Sequence, residues 1–138
     1  MVCHQLIYIS RPTVEVTQDV LLDILNKAQT INHKFKISGL LIFHNGKFMQ
    51  LLEGGEKEVK DLFEKIQHDP RHSDVRILLE TDRPNRCMPL WTMGFSMSGS
   101  VDNGLSNQGF YIAIDETRQL CEKMEADVGQ KFLQLLGE

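Results

Sequence analysis

The segment Lys47–Gly54, KFMQLLEG, alternates as a strand does, and the alternation sets Gln50 on the same face as Phe48 and Leu52. A carboxamide on an apolar face needs hydrogen-bond partners, because an unsatisfied buried polar group costs about 1–3 kcal/mol. Two more polar side chains interrupt apolar stripes. Tyr8 shares a strand face with Leu6, and Asn32 falls four residues after Ala28 on a helical stripe running through Leu21, Ile24 and Leu25. Singly, each has an ordinary role: a hydroxyl on a backbone carbonyl, an asparagine ending a helix, a glutamine at a sheet end. Together they match a planar ligand, rich in donors and acceptors, lying between helices. Residues 68–72, HDPRH, add Asp69, Arg71 and His72 at the end of a predicted helix. Their ordinary reading is a solvated terminus with basic groups facing the negative end of the helix dipole.

The elements that must position these groups follow from spacing. Residues 3–10 are rich in β-formers and stop at Arg11-Pro12, a first strand. Thr17 caps a helix that runs to about residue 32. Residues 37–43 and 47–53 flank His44-Asn45-Gly46, a hairpin signal. Gly54-Gly55 opens a second helix, 56–68, with Val59, Leu62, Phe63 and Ile66 on one face, and Pro70 enforces its end. A fourth strand is expected at about 74–80. The order β-α-β-β-α-β is the α+β, ferredoxin-like motif, in which we expect the first and third strands side by side and parallel between the outer two. Residues 91–97, WTMGFSM, put Trp91, Met93, Phe95 and Met97 on one face of a fifth, half-buried strand. From Asp115 onward Leu120, Met124, Val128 and Phe132 recur every fourth residue, predicting one C-terminal helix of about 20 residues. A helical turn or two is expected near 105–113. The first two helices should cover one sheet face, leaving the other to the C-terminal helix or a second subunit. The chain thus divides into a core, residues 1–97, and a helical extension, residues 98–138, that packs on the sheet or at an interface.

Composition narrows the function. The chain of 138 residues suits one domain with a real core. A net charge of −4 without a lysine or arginine cluster argues against nucleic acid and anionic membranes as partners. No apolar run approaches the ~20 residues of a membrane span, and Met1-Val2-Cys3-His4 has no charged n-region, so a cytoplasmic protein is expected. Cys3, Cys87 and Cys121 are odd in number and widely spaced, fitting a reducing compartment and neither a disulfide framework nor a zinc site. His4, His33 and His44 show no ligand spacing with cysteine or carboxylate, so no metal is expected. Gly54-Gly55 reads as a helix cap rather than a phosphate loop. Glu53, Glu56 and Glu58 read as a solvated, dipole-favourable helix start rather than catalytic acids.

Tyr8, Asn32, "ISGLL" followed by "GKFMQLLEG", "FEKIQHDPRHSDV" and "LWTMGFS" occur in an order that resembles the BLUF domains, blue-light sensors using flavin, essentially without gaps from Leu6 to about Met97. No output domain follows these motifs, so the chain looks like a short, stand-alone member. The resemblance implies a non-covalent oxidised flavin, FAD, with FMN or riboflavin able to substitute. It implies that Asn32 bonds the pyrimidine edge, Arg71 the C2 carbonyl side, and Asp69 and His72 the ring edge or ribityl region. Gln50 would stand between Tyr8 and the N5/C4 carbonyl edge, while Ile24, Ala28, Leu41 and Phe48 supply apolar walls.

The resemblance further implies that light drives electron and proton transfer from Tyr8 through Gln50, leaving a rearranged network and a small red shift, with no substrate turned over. In the family either the tryptophan or the methionine of this strand is reported near the glutamine; we expect Trp91 to compete for the site and Met93 to sense Gln50. Output should pass to a separate downstream protein or through a homodimer or larger homo-oligomer. Two alternatives share the topology. An acylphosphatase-like hydrolase needs an arginine in a glycine-rich loop, which Ser10-Arg11-Pro12-Thr13 does not provide. A chromophore-free interaction module would be free to lose Tyr8, Asn32 or Gln50, and all three are present.

Overall fold

The computed structural model describes residues 2–88, 94–97 and 114–137. Its elements, in chain order, are β1 (Cys3–Pro12), α1 (Gln18–Phe35), β2 (Ser38–His44), β3 (Lys47–Gly54), α2 (Glu56–Gln67), β4 (His72–Arg83), β5 (Gly94–Met97), α3 (Ile114–Lys123) and α4 (Ala126–Leu136). They form a five-stranded sheet of order β4-β1-β3-β2-β5. The α+β, ferredoxin-like core is as the spacing predicts, with one correction: β1 and β3 are neighbours but antiparallel. The helical crossover returns β2 in the direction of β1, and the tight hairpin then reverses β3. β5 adds parallel to β2. The predicted turns near 105–113, and Trp91 and Met93, lie outside the described residues.

Local chemistry sets the element ends. Thr17 accepts a hydrogen bond from the Val20 amide and so caps α1. At the other end Lys36 adopts the left-handed conformation, and the Ile37 amide donates to the Asn32 carbonyl at 2.8 Å. This is a Schellman closure. Asn32 therefore lies one turn inside α1, which runs on to Phe35, rather than terminating it. Asn45 and Gly46 both have positive φ, the backbone a two-residue type I′ hairpin requires.

Side-chain alternation loads both faces of the sheet. Leu6, Tyr8, Leu41, Phe43, Phe48 and Leu52 pack under α1 and α2, meeting Leu21, Leu25, Val59, Leu62 and Phe63. Ile7, Leu40, Ile42, Met49 and Leu51 face the other way and are covered by Cys121, Val128, Phe132, Leu135 and Leu136. The predicted single C-terminal helix is in fact two, broken at Met124-Glu125. Leu120 and Met124 are only half-buried. The corner needs Gly129, where a Cβ would stand 2.1 Å from the Cys121 carbonyl oxygen. A side chain there would drive α4 off α3. All three cysteines are free thiols.

Glu53 is a second correction. It is not a solvated helix start but a fully buried carboxylate on β3, 0% exposed. It accepts from Gln5 Nε2 at 2.9 Å, from the Cys87 amide at 2.8 Å and from the Met88 amide at 2.5 Å. Gln5 Oε1 in turn accepts from Arg83 Nε at 3.3 Å, and Arg83 pairs with Asp127 of α4. Arg86 ties the same strap to the helix end and the sheet through the Lys36 and Glu53 carbonyls. Three donors to the carboxylate explain how it is tolerated in the interior.

Gly129→Ala is expected to destabilise the protein by about 1–3 kcal/mol, the usual cost of overpacking. Thermal unfolding checks it, and an unchanged Tm would show that the corner opens freely.

Candidate functional site

The antiparallel register places Tyr8 of β1 directly opposite Gln50 of β3, and Gln50 opposite Leu41 of β2. These three side chains form one row across the sheet, on the face under the two helices. The Tyr8 hydroxyl donates to Gln50 Oε1 at 2.5 Å, and both residues are buried, Gln50 at 5% exposure. The next row along the same strands pairs Phe43 with Phe48, ring centroids 5.0 Å apart. A register irregularity between β1 and β4 falls at Ile7/Tyr8, so the sheet is locally deformed beside the tyrosine.

Above this row, α1 and α2 stand apart and leave a cleft of about 180 Å³, open at its mouth. Tyr8, Gln50, Leu41 and Phe48 form its floor. Ile24, Ala28 and Asn32 line one wall from α1, with Asn32 only 1% exposed. Asp69, Arg71 and His72 close the end beyond α2. All ten described residues expected at the site thus line one cavity. Lys27 and Ile31 of α1 and Leu62, Lys65 and Ile66 of α2 also line it. Sequence reasoning placed Leu62 and Ile66 on the inner stripe of α2 but not at the site. Ile31 follows Ile24 and Ala28 at helical spacing, a signal that was available; the two lysines gave none.

The HDPRH turn is built locally. Pro70 ends α2, and Asp69 Oδ1 accepts from the Arg71 amide at 2.9 Å, folding the chain back. The Arg71 guanidinium then grips Asp69 at 2.7 Å and reaches Asp23 of α1 at 2.6 Å. One cation therefore ties the segment after α2 to α1 across the mouth of the cleft. It is not the solvated terminus of its ordinary reading. His72 Nε2 donates to the Ile66 carbonyl at 2.6 Å and Nδ1 pairs with Ser10 Oγ at 2.8 Å. With both nitrogens engaged, His72 offers the cleft its ring rather than a free donor.

Tyr8 is held edge to face by His72 at 6.2 Å and tilted against Phe63 at 5.5 Å. Burial first, and the Asp69 carboxylate second, push its pKa well above the ordinary phenol value. Its proton stays in place unless an electron is removed. Gln50 is suited to receive that proton, because an amide carries both acceptor and donors and can exchange them by rotation or tautomerisation. A largely apolar slot with an amide at one edge, an amide at the floor and an arginine at the end fits a flat heteroaromatic ring system with carbonyl and N–H edges. A flavin ring has those edges.

Comparisons with known proteins agree. Residues 3–94 match the family described as BLUF: Sensors of blue-light using FAD. The photoactivated adenylate cyclase subunit beta of Euglena longa is 36% identical over 89 residues, which are 64% of this chain and 10% of that protein. The chain therefore spans about a tenth of the length of that relative. Among solved structures, the photo-activated state of BlsA superposes with a TM-score of 0.67 at 27% identity, covering 97% of this chain and 94% of that one. Klebsiella pneumoniae BlrP1 with FMN and cyclic diGMP superposes with a TM-score of 0.62 at 25% identity, covering 96% of this chain and 30% of that one.

Arg71 holds the Asp69 carboxyl below its ordinary value. A carboxylate whose folded pKa is lowered contributes stability that is complete above the unfolded value, about 3.9, and is lost as pH falls through the folded one. The Asp69→Asn variant should therefore lose less Tm than the wild type between about pH 5 and about pH 3. Parallel melting curves across that window would expose a clamp that contributes nothing.

Proposed function

The chain belongs to the BLUF family and is a flavin-binding blue-light sensor, and we propose that its signal begins at the Tyr8–Gln50 hydrogen bond and leaves through the C-terminal helices. The observation that carries this reading is the buried 2.5 Å contact between the phenol and the amide in the floor of the cleft. Asn32 would hold the pyrimidine edge of the ring and Gln50 the N5/C4 edge. Arg71 faces the C2 carbonyl side while keeping its grip on Asp69 and Asp23, and Asp69 and His72 flank the ring edge or ribityl chain. Ile24, Ala28, Leu41 and Phe48 exclude water above and below. FAD fills the site, with FMN or riboflavin as substitutes.

The flavin, when bound, supplies absorption of blue light and, once excited, a strong oxidant. Everything else is done by the protein. Tyr8 gives up one electron, and its phenolic proton moves along the existing hydrogen bond to Gln50 Oε1. Electron and proton then return to Tyr8, but the Gln50 amide has meanwhile exchanged its donor and acceptor edges by rotation or tautomerisation. Its N–H edge would then face the C4 carbonyl side of a bound flavin, the change expected to shift absorption slightly to the red. No substrate is consumed, and no residue is assigned a catalytic role. Membership of a photoreceptor family sets the hydrolase alternative aside.

Two routes carry the change onward. The same strands that hold Tyr8–Gln50 hold Gln5–Glu53 three residues away on the opposite face. From there Arg83 reaches Asp127 on α4. As a second route we propose Trp91 and Met93, which precede β5 in the sequence: Met93 reads the orientation of Gln50 and Trp91 competes for that role. Residues 98–138 act as the output extension of the core. The apolar side of α3 and α4 is largely spent on the sheet, so what a second copy or a downstream protein recognises is their outer surface. We propose a homodimer or larger ring as the resting form, acting in the cytoplasm, where the three free thiols are at home.

Tyr8→Phe and Gln50→Leu should both retain flavin, released on denaturation because it is not covalently attached, and both should lose the light-induced red shift. A normal photocycle in either variant, read by absorption spectroscopy, would refute this mechanism. Mass by light scattering in darkness and under blue light tests the output. A dimer or larger assembly is expected, and a monomer in both states would remove assembly from the signal path.

A further inference from the structure

One group of metal-ligating side chains lies outside the cleft among the described residues. His4 of β1, Asp82 of β4 and Glu56 at the first turn of α2 come from three elements, and their donor atoms all lie within 4.8 Å of one another. His4 Nδ1 stands 2.8 Å from Asp82 Oδ1 and 3.9 Å from Glu56 Oε1. Four-coordinate zinc, with bonds of about 2.0–2.1 Å, sets its ligand atoms roughly 3.3 Å apart, and the two observed separations straddle that spacing. The other imidazole nitrogen, Nε2, is 2.7 Å from Glu80 Oε2. That is the arrangement in which a carboxylate takes the N–H of a ligating histidine, fixes its tautomer and aims the remaining nitrogen at the ion.

The plain alternative is an imidazolium shared by Asp82 and Glu80. It accounts for two carboxylates. Glu56 is the third, and it turns toward the same Nδ1 from a different element, although Lys60 already pairs with it at 3.2 Å. Glu56, Glu80 and Asp82 carry one more negative charge than an imidazolium at His4 and Lys60 together supply. The side chains of Glu56 and Asp82 are 58% and 54% exposed, so an ion can enter and keep water in its remaining position.

We propose that His4 Nδ1, Asp82 and Glu56 form a site for a zinc-class divalent cation, with Glu80 as the residue that positions the imidazole. In the loaded site Glu56 exchanges Lys60 for the ion, Nε2–H donates to Glu80, and water completes the coordination. The ion fastens the start of α2 to β1 and β4. The other half of α2 supplies Leu62, Lys65 and Ile66 to the cleft wall, so occupancy stiffens a helix that flanks the ligand.

Calorimetric titration of zinc into the flavin-loaded protein tests this. One equivalent should bind to the wild type, His4→Gln and Asp82→Asn should abolish binding, and Glu80→Gln should weaken it by about 10–100-fold. Glu56→Gln changes an exposed side chain and keeps the fold, so its loss of zinc affinity must appear with an unaltered flavin spectrum and Tm. Cys87→Ser should bind as the wild type does, excluding a thiol site. The proposal is overturned by absence of binding to the wild type, by binding that survives in both His4→Gln and Glu56→Gln, or by binding that Cys87→Ser removes. None of these outcomes depends on the light response.

Discussion

The register of β1 against β3 is the constraint on which the rest of this molecule depends. With Tyr8 opposite Gln50, Gln5 necessarily falls opposite Glu53, and because side chains alternate, the two pairs project to opposite faces of the sheet. One antiparallel ladder therefore carries a phenol–amide bond into the cleft and an amide–carboxylate bond into the opposite core. A slip of one residue would exchange both faces at once, burying Glu53 in the flavin slot and turning Gln50 away from it. The apolar residues between them, Leu6, Ile7, Leu51 and Leu52, are each at most 1% exposed and hold that register by packing on both sides.

The two faces are built for different work. On the helix side, Leu21 and Leu25 of α1 and Val59 and Phe63 of α2 join one core over the sheet, and Arg71 bridges the opening between the helices to Asp23 rather than filling it. Polar groups there line an apolar slot, where low dielectric strengthens each hydrogen bond they make to a ligand. On the other side the carboxylate of Glu53 is satisfied within the protein by Gln5 and two backbone amides. Its partners bring together the strap before β5 and, through Arg83, the helix α4. A change in strand geometry at one pair has a short, hydrogen-bonded path to the other. Coupling of this kind requires that the partners have two arrangements, and Gln50, whose amide can exchange donor for acceptor, is the group on the path best suited to that.

Much of this was readable in the chain itself. Hydrophobic period, the Thr17 cap, Asn45-Gly46 and Pro70 are local signals, and they predicted seven elements with ends within a few residues. Period-2 alternation also exposed Gln50 and Tyr8 as polar intruders on an apolar face, and helical spacing did the same for Asn32. Those three intruders sufficed to point at a ligand between the helices, because burial of a polar group demands a partner wherever the chain goes. What sequence could not supply was direction and pairing between segments distant along the chain. The antiparallel sense of β1 and β3 follows only once the crossover and the hairpin are composed in space. The break at Met124-Glu125 follows only from the close approach of Gly129 to the Cys121 carbonyl. Glu53 looked like a helix-start acid because its neighbours Gly54, Gly55, Glu56 and Glu58 are surface types, yet its partners at Gln5, Cys87 and Met88 lie 48, 34 and 35 residues away. His4, Glu56 and Asp82 have no common spacing either, and only the docking of α2 on the sheet and the pairing of β1 with β4 bring them together. Periodicity reports which way a side chain faces; which group it meets there is decided by tertiary contacts, since the partners of a buried polar atom are chosen by distance in space and not along the chain.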